Sequence, residues 1–145
     1  MTTLDEVQSR RVLFLCTHNS ARSQMAEGLL RACGGPRFEV FSAGTVATVV
    51  RPEAIAVMAE LGIDVAAQES KTLQRYLDDA FDEVITVCDD ANETCPVFRG
   101  ARHRRHWSIG DPSAVSGSDA ERLVAFRRAR DELRRRIESE LLPPR

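Results

Sequence analysis

The sequence has a single lysine, a single tyrosine and no apolar run long enough to cross a membrane. Charged residues make up 29% of the chain, yet the net charge is only −2, which argues against general nucleic-acid binding. Residues 1–11 are polar and lack the apolar centre of a signal peptide. We therefore expect a cytoplasmic protein that does not associate with membranes.

The length of 145 residues and a hydrophobic content of 43% are sufficient for one folded unit. We predict a flexible N-terminal extension at residues 1–10 and a single catalytic domain at residues 11–142. Apolar runs predict strands at residues 11–15, 38–42, 81–87 and 104–109. Helical patterns begin near residue 22 and cover residues 52–61, 73–79 and the stretch after Ser118. This alternation predicts an α/β fold with a parallel sheet.

Two of the predicted helices have a recognisable core face. In the first helix the face comprises Met25, Ala26, Leu29, Leu30 and Cys33. In the last helix, which Ser118 and Glu121 begin as a capping box, the face comprises Leu123, Phe126, Leu133, Ile137 and Leu141. The arginines of the last helix alternate with acidic residues, which predicts a solvated, salt-bridged surface.

The most informative stretch is residues 12–23, V-L-F-L-C-T-H-N-S-A-R-S. A short buried strand leads into a polar loop and then a helix, a turn whose free backbone N–H groups can hold a tetrahedral oxyanion. Arg22 supplies a planar fork for two oxygens, and the same field would stabilise a thiolate at Cys16. Ser23 can donate a hydrogen bond to that thiolate. The alternative is a buried strand-end cysteine before an ordinary capping loop.

Three chemically active residues each follow the end of a predicted strand: Cys16, Cys88 and Asp111. Ligands of parallel sheets bind beyond the carboxyl ends of the strands, so we expect the three to meet at one rim. Asp111 is a candidate general acid for a leaving oxygen. Its alternative is a plain Asp-Pro turn.

A second cysteine pair, Cys88 and Cys95, lies seven positions apart. In a helix their Cα atoms would be roughly 10 Å apart, and a disulfide needs about 7 Å, so pairing would require the segment to unwind. We interpret the segment as a redox switch. The alternatives are two inert buried thiols, or a zinc site with His103 and His106. Zinc-binding cysteines are usually two to four residues apart, so we predict no metal and no other cofactor.

The motif C-T-H-N-S-A-R-S-Q-M-A-E resembles the phosphate loop of low-molecular-weight tyrosine phosphatases, and still more that of the related thioredoxin-coupled arsenate reductases. The likeness extends over residues 11–142. It implies a single-domain three-layer fold with a four-stranded parallel sheet in the order 2-1-3-4. It also implies an oxyanion site formed by Thr17, His18, Asn19, Ser20, Ala21 and Arg22. We expect Asn19 to hold the loop and His18 to face solvent.

The resemblance implies reduction of arsenate to arsenite by a three-cysteine relay. Cys16 would attack arsenate while Asp111 protonates the departing oxygen. Cys88 and then Cys95 would carry the disulfide to thioredoxin, the implied partner of a monomeric enzyme. Simple phosphatases of the family need no such pair, which favours the reductase.

Two alternatives remain open. The first is a phosphomonoester hydrolase that uses only Cys16, Arg22 and Asp111. Phosphate resembles arsenate in shape and charge and would compete with it for the site. A weak phosphatase activity is therefore expected in either case. Phosphatases of this family usually follow the acid with tyrosines that stack on the substrate ring, whereas here Ser113 and Ala114 follow. The second alternative is a redox-sensing or oxyanion-binding module without catalysis.

The single lysine, Lys71, receives a separate prediction. Some relatives bind potassium beside the phosphate loop through an acidic residue near this position, and this chain has no Asp at the matching place. We predict that the Lys71 ammonium stands in for the cation. The alternative is an exposed surface lysine.

Overall fold

The computed structural model describes residues 9–88, 98 and 100–142 of the chain. Its strands are β1 (Arg10–Cys16), β2 (Phe38–Gly44), β3 (Phe81–Thr86) and β4 (Ala101–His106). Its α-helices are α1 (Arg22–Gly34), α2 (Pro52–Ala59) and α3 (Asp119–Glu140). Short 3-10 turns occur at Gly35–Arg37, Leu73–Tyr76 and Pro112–Ala114.

The four strands form one parallel sheet in the order β2-β1-β3-β4, which confirms the predicted fold. β1 lies inside the sheet, where Leu13 pairs with Phe41 on one side and with Val84 on the other. Because both faces of β1 are covered, its apolar residues run without interruption. The carboxyl ends of all four strands lie at one edge, where the candidate site forms.

The core has two parts, one on each face of the sheet. Val12 and Phe14 pack with the helices, in a cluster that includes Met25 of α1 and Leu133 of α3. Leu13 and its neighbours pack on the opposite face with the Leu73–Tyr76 turn and Phe98. This division follows from the two-residue period of a strand, which sends successive side chains to opposite faces.

Helix α3 begins as the sequence predicts. The Ser118 hydroxyl accepts from the Glu121 N–H, and the Glu121 carboxylate accepts from the Ser118 N–H, which completes the capping box. The predicted core face is buried except for Leu123, which is partly buried against the same cluster. The exposed side has the predicted ion pairs, for example Arg134 with Glu138 at 3.4 Å.

Several predicted boundaries differ from the structure. β4 occupies Ala101–His106 instead of residues 104–109, because the arginine-rich start of the strand has no apolar pattern to mark it. The predicted helix at residues 73–79 is a 3-10 turn that ends at Tyr76. α2 ends at Ala59, and Gly62 follows with a positive φ of 74°, as expected of a glycine beyond a helix end.

The prediction that Cys33 is a core residue is wrong, because its side chain is exposed. Leu29 and Leu30 are fully covered, but residues 31–33 are all exposed. The last turn of α1 therefore extends past the elements that cover the rest of its apolar face. Helical spacing identifies the face, but it does not show where the covering layer ends.

Part of the N-terminal extension and the segment that contains Cys95 lie outside the described residues, so the predicted redox-switched segment is not described. Among the described residues, no helix combines the length and the apolar character required to span a membrane.

Candidate active site

The centre of the site is the loop of residues 17–22, here called the oxyanion loop, which joins the end of β1 to the start of α1. The backbone carbonyl groups of residues 17–21 each accept a hydrogen bond. The carbonyl of residue 17 accepts from Val46 N (3.0 Å) and Thr45 Oγ1 (3.1 Å). The carbonyl of residue 18 accepts from Thr48 Oγ1 (3.0 Å) and Ser70 Oγ (3.3 Å). The carbonyl of residue 20 accepts from Arg51 N (2.8 Å). The carbonyls of residues 19 and 21 accept from Gln24 Nε2 (3.0 Å) and Met25 N (2.9 Å).

The backbone N–H groups of the loop differ from its carbonyl groups in their hydrogen bonding. Within the described part of the chain, none of the N–H groups of residues 18–21 donates a hydrogen bond. Unused N–H groups beside a helix N-terminus form an anion-binding concavity. The loop therefore has its acceptors engaged by the scaffold and its donors available for an oxyanion.

Cys16 lies at the base of this loop and is only 3% exposed. Its sulfur is 2.8 Å from Ser23 Oγ, the first turn of α1. Asn19 Nδ2 donates to the same Ser23 oxygen at 2.8 Å. Because that oxygen already accepts from an N–H, the one hydroxyl proton of Ser23 is free to point at the sulfur.

Asn19 holds the loop in a left-handed conformation, with a φ of 48°. Its side chain is fully buried, and all its polar atoms have partners. Besides Ser23, its Nδ2 donates to Ser42 Oγ at 3.0 Å. Its Oδ1 accepts from Gln24 Nε2 at 2.9 Å and from the Lys71 N–H at 2.8 Å. The structure thus shows the loop-holding bonds expected of Asn19.

A buried polar cluster lies behind the loop: Glu27, Ser42 and Lys71. Ser42 Oγ donates to Glu27 Oε1 at 2.5 Å, and Lys71 Nζ is 3.9 Å from the same oxygen. Lys71 Nζ also donates to the Glu69 carbonyl. Lys71 is 7% exposed, so the alternative of an exposed surface lysine is wrong. Burial lowers its pKa, and the nearby Glu27 carboxylate partly opposes that effect.

Arg22 and Asp111 face each other across the site. Arg22 Nη1 donates to the Ile109 carbonyl at 2.8 Å, and Nη2 is 3.7 Å from Asp111 Oδ2. The other carboxylate oxygen of Asp111 accepts from the Ser113 N–H at 2.9 Å, at the start of the Pro112–Ala114 turn. The Asp111 side chain is 44% exposed, so the carboxyl group can reach a ligand from the solvent side.

Together these residues line a cavity of about 460 Å³ at the carboxyl edge of the sheet. Its walls contain Cys16, His18, Ser20, Ala21, Arg22, Thr48, Val49, Arg51, Asp111, Ser113 and Ala114. His18 is exposed, as expected. No Phe, Tyr or Trp of the described residues lines this cavity, and Tyr76 packs on the opposite face of the sheet. The described walls therefore offer no platform for an aromatic ring.

Cys88 follows β3 and is 3% exposed. Its sulfur is 3.4 Å from Thr17 Oγ1, the residue directly after Cys16. The convergence at one rim that the strand ends predict is therefore found for Cys16, Cys88 and Asp111. Cys95 lies outside the described residues.

The sequence did not single out Gly44, Glu27, Ser42 or Arg51. A Cβ at Gly44 would lie 2.6 Å from the Thr17 carbonyl oxygen and 2.8 Å from the Asn19 nitrogen, so only glycine lets β2 approach the loop. A glycine at the end of a largely buried strand was the available signal. Glu27 is a polar residue on an otherwise apolar helix face, but its partners come from distant segments.

Comparisons with known proteins agree with this geometry. The sequence model of the low molecular weight phosphotyrosine protein phosphatase family matches residues 11–142. The arsenate reductase of Halalkalibacterium halodurans is 42% identical over 88% of this chain and 92% of its own. A solved structure described as an arsenate reductase in the phosphate binding state is 34% identical, with a TM-score of 0.78, over 90% of this chain and 95% of its own.

A further solved structure is also similar to this chain. The thioredoxin-dependent arsenate reductase of Corynebacterium glutamicum is 31% identical, with a TM-score of 0.63. The match covers 90% of this chain and 63% of that protein.

Proposed function

The chain belongs to the low-molecular-weight phosphotyrosine protein phosphatase family, and within that family we propose that it reduces arsenate to arsenite. The observation that carries the proposal is the position of Cys88, a buried thiol 3.4 Å from Thr17 Oγ1, at the start of the oxyanion loop. Hydrolysis of a phosphomonoester needs no second thiol there. Reduction of arsenic needs two electrons, which a second thiol can deliver by forming a disulfide.

In the first step the loop N–H groups and Arg22 hold arsenate, and the Cys16 thiolate attacks arsenic. A sulfur–arsenic bond forms and an arsenic–oxygen bond breaks, with Asp111 giving a proton to the departing oxygen. Arg22 is held by the Ile109 carbonyl, which keeps its fork beside the loop before substrate arrives.

In the second step the Cys88 thiolate attacks the Cys16 sulfur. The new bond is the Cys16–Cys88 disulfide, and the electron pair of the sulfur–arsenic bond passes to arsenic, which leaves as arsenite. Cys95 then attacks Cys88, which releases Cys16 as a thiolate and leaves a Cys88–Cys95 disulfide. A dithiol reductant of the thioredoxin class reduces that disulfide. The thiols must start reduced, a condition met in the cytoplasm.

The test is arsenate-dependent NADPH consumption with thioredoxin and thioredoxin reductase. We expect steady turnover by the wild-type protein, none by Cys16→Ser or Cys88→Ser, and one turnover by Cys95→Ser before it stalls with Cys16 and Cys88 joined. Cys33→Ser is the matched control, because Cys33 is exposed at the far end of α1. Continued turnover by Cys95→Ser with thioredoxin as the sole reductant would contradict the relay.

The second candidate is phosphomonoester hydrolysis, favoured by the pairing of Arg22 with Asp111 beside Cys16. That activity needs neither Cys88 nor Cys95. Brisk hydrolysis of a phosphomonoester, unaffected by Cys88→Ser and accompanied by no arsenate turnover, would identify a phosphatase. The absence of any aromatic residue from the described walls of the cavity favours arsenate.

A further inference from the structure

Arg51 lines the same cavity as Arg22 but differs from it in one respect. Arg22 bonds to the Ile109 carbonyl and faces Asp111. The Arg51 guanidinium has no hydrogen bond and no ion pair to any residue in the described ranges. Most arginines in the described part of the chain form an ion pair with a carboxylate, so an unpaired guanidinium at the wall of this cavity is unusual.

The carboxylates nearest to Arg51 in sequence are paired with other arginines. Glu53, two residues further along, forms its ion pair with Arg122 of α3. Glu60, at the other end of α2, is held by Arg127 and Arg130. The acids closest in sequence to Arg51 are therefore already neutralised by α3.

The backbone fixes Arg51 beside the loop. Its N–H donates to the Ser20 carbonyl at 2.8 Å, and the neighbouring Thr48 hydroxyl donates to the His18 carbonyl at 3.0 Å. Pro52 follows as the first residue of α2, which restricts the backbone of Arg51 to an extended conformation with a ψ of 135°. Arg51 is thus held at a defined place on the cavity wall.

The charges on the cavity walls show why a cation at position 51 matters. Asp111 is the only carboxylate among the described residues of its walls, and it faces Arg22. Near neutral pH an arsenate or phosphate ion is a mixture of singly and doubly charged forms, and it must approach the Cys16 thiolate. Arg22 shares its positive charge with Asp111, so Arg22 alone compensates the negative charges of the oxyanion and the thiolate poorly.

We propose that Arg51 is a second cationic residue of the oxyanion site, which attracts and holds the doubly charged oxyanion beside Cys16. The inference rests on the proposed function for its substrate, because arsenate and phosphate are the anions concerned. Arg22 holds the oxygens at the loop, and Arg51 supplies a second positive charge at the cavity wall. The arrangement favours the more highly charged form of the oxyanion.

The experiment is calorimetric titration of inorganic phosphate into the reduced full-length protein at low ionic strength. Arg51→Gln should weaken phosphate binding by about tenfold, as expected for loss of one partly exposed charge near the ligand. Arg51→Lys should stay within about threefold of the wild-type affinity, because it keeps the charge. The difference between wild type and Arg51→Gln should shrink as salt is added.

Arg37→Gln is the matched control. Arg37 is exposed and unpaired among the described residues, and it precedes the start of β2, at the opposite edge of the sheet. Its loss changes the net charge equally and should leave the affinity unchanged. The proposal is overturned if Arg51→Gln binds phosphate as Arg37→Gln does, or if Arg51→Lys loses as much affinity as Arg51→Gln. Phosphate binding does not depend on arsenate turnover, so this result is separate from the test of the reductase.

Discussion

The Ser23 hydroxyl lies 2.8 Å from the Cys16 sulfur, and its oxygen is occupied by the Asn19 amide. The Ser23 hydroxyl can therefore donate its proton to the sulfur while its oxygen accepts from the amide. The same amide donates to Ser42, whose hydroxyl donates to Glu27, so the Ser23–Cys16 contact adjoins a buried hydrogen-bond network.

Ser23→Ala should slow alkylation of Cys16 by iodoacetamide at neutral pH by about tenfold or more, since a hydrogen bond to a charged group contributes roughly 1.5–3 kcal/mol. Arsenate turnover should fall in parallel. The control is Ser113→Ala, a serine that lines the same cavity without contacting the sulfur. An alkylation rate equal to that of the wild-type protein would show that the hydroxyl does not stabilise the thiolate.

Asp111→Asn should slow the first chemical step by about 10²–10⁴-fold, the usual contribution of a general acid, while phosphate still binds. The leaving group provides a discriminating measurement. Hydrolysis of p-nitrophenyl phosphate, whose leaving group needs little protonation, should be less affected than hydrolysis of an alkyl phosphate. Equal losses for both esters would mean that Asp111 only positions Arg22.

Gly44→Ala should destabilise the protein by about 1–3 kcal/mol, because the added methyl group would meet backbone atoms of Thr17 and Asn19 that cannot easily move. Urea unfolding measures the change. Gly110→Ala is the control, since a Cβ at that position meets nothing within 4 Å. If the two variants unfold alike, the close approach of β2 to the loop is not rigid.

Lys71 is predicted to take the place of a bound cation, and its burial beside Glu27 supports that prediction. Wild-type melting temperatures should be equal in potassium and sodium salts. Lys71→Ala should lose about 3 kcal/mol of stability, because Glu27 is left buried with less compensation, and potassium should restore part of it. A strong potassium effect on the wild-type protein would contradict the prediction.

Glu60 predicts a specific pH dependence of stability. Hydrogen bonds from Arg127 and then Arg130 lower the pKa of Glu60 from 4.5 to about 2. The folded protein therefore binds fewer protons than the unfolded chain between these values. The contribution of Glu60 is present above pH 4.5 and is lost as the pH falls toward 2.

Urea unfolding of wild type and Glu60→Gln checks this dependence. Glu60→Gln should be less stable than the wild-type protein at about pH 6. The difference in their free energies of unfolding should shrink toward about pH 2. Glu138→Gln is the control, because the one ion pair of Glu138 within the described ranges is the exposed pair with Arg134. A difference that stays constant with pH would mean that the substitution acts through packing.

Local signals in the sequence were sufficient for much of the fold. The uninterrupted apolar run of β1, the Ser118–Glu121 capping box and the alternation of elements each depend on neighbouring residues, so a short window of sequence contains the information. The same holds for the strand–loop–helix turn with Cys16, Asn19, Arg22 and Ser23. The alternation of strands and helices predicted a parallel sheet. A parallel sheet brings the carboxyl ends of its strands, and the residues after them, to one edge.

Only the tertiary structure decided which side chains are covered. Cys33 shares the periodicity of the core face but extends beyond the layer that covers α1. Lysine is a residue type typical of protein surfaces, yet Lys71 is buried beside Glu27 and Ser42, which come from two other segments. Arg51 has no partner among the described residues, whereas Glu53 in α2 and Glu60 just beyond it pair with arginines of α3. These outcomes depend on contacts between residues far apart in the chain, and no local pattern encodes them.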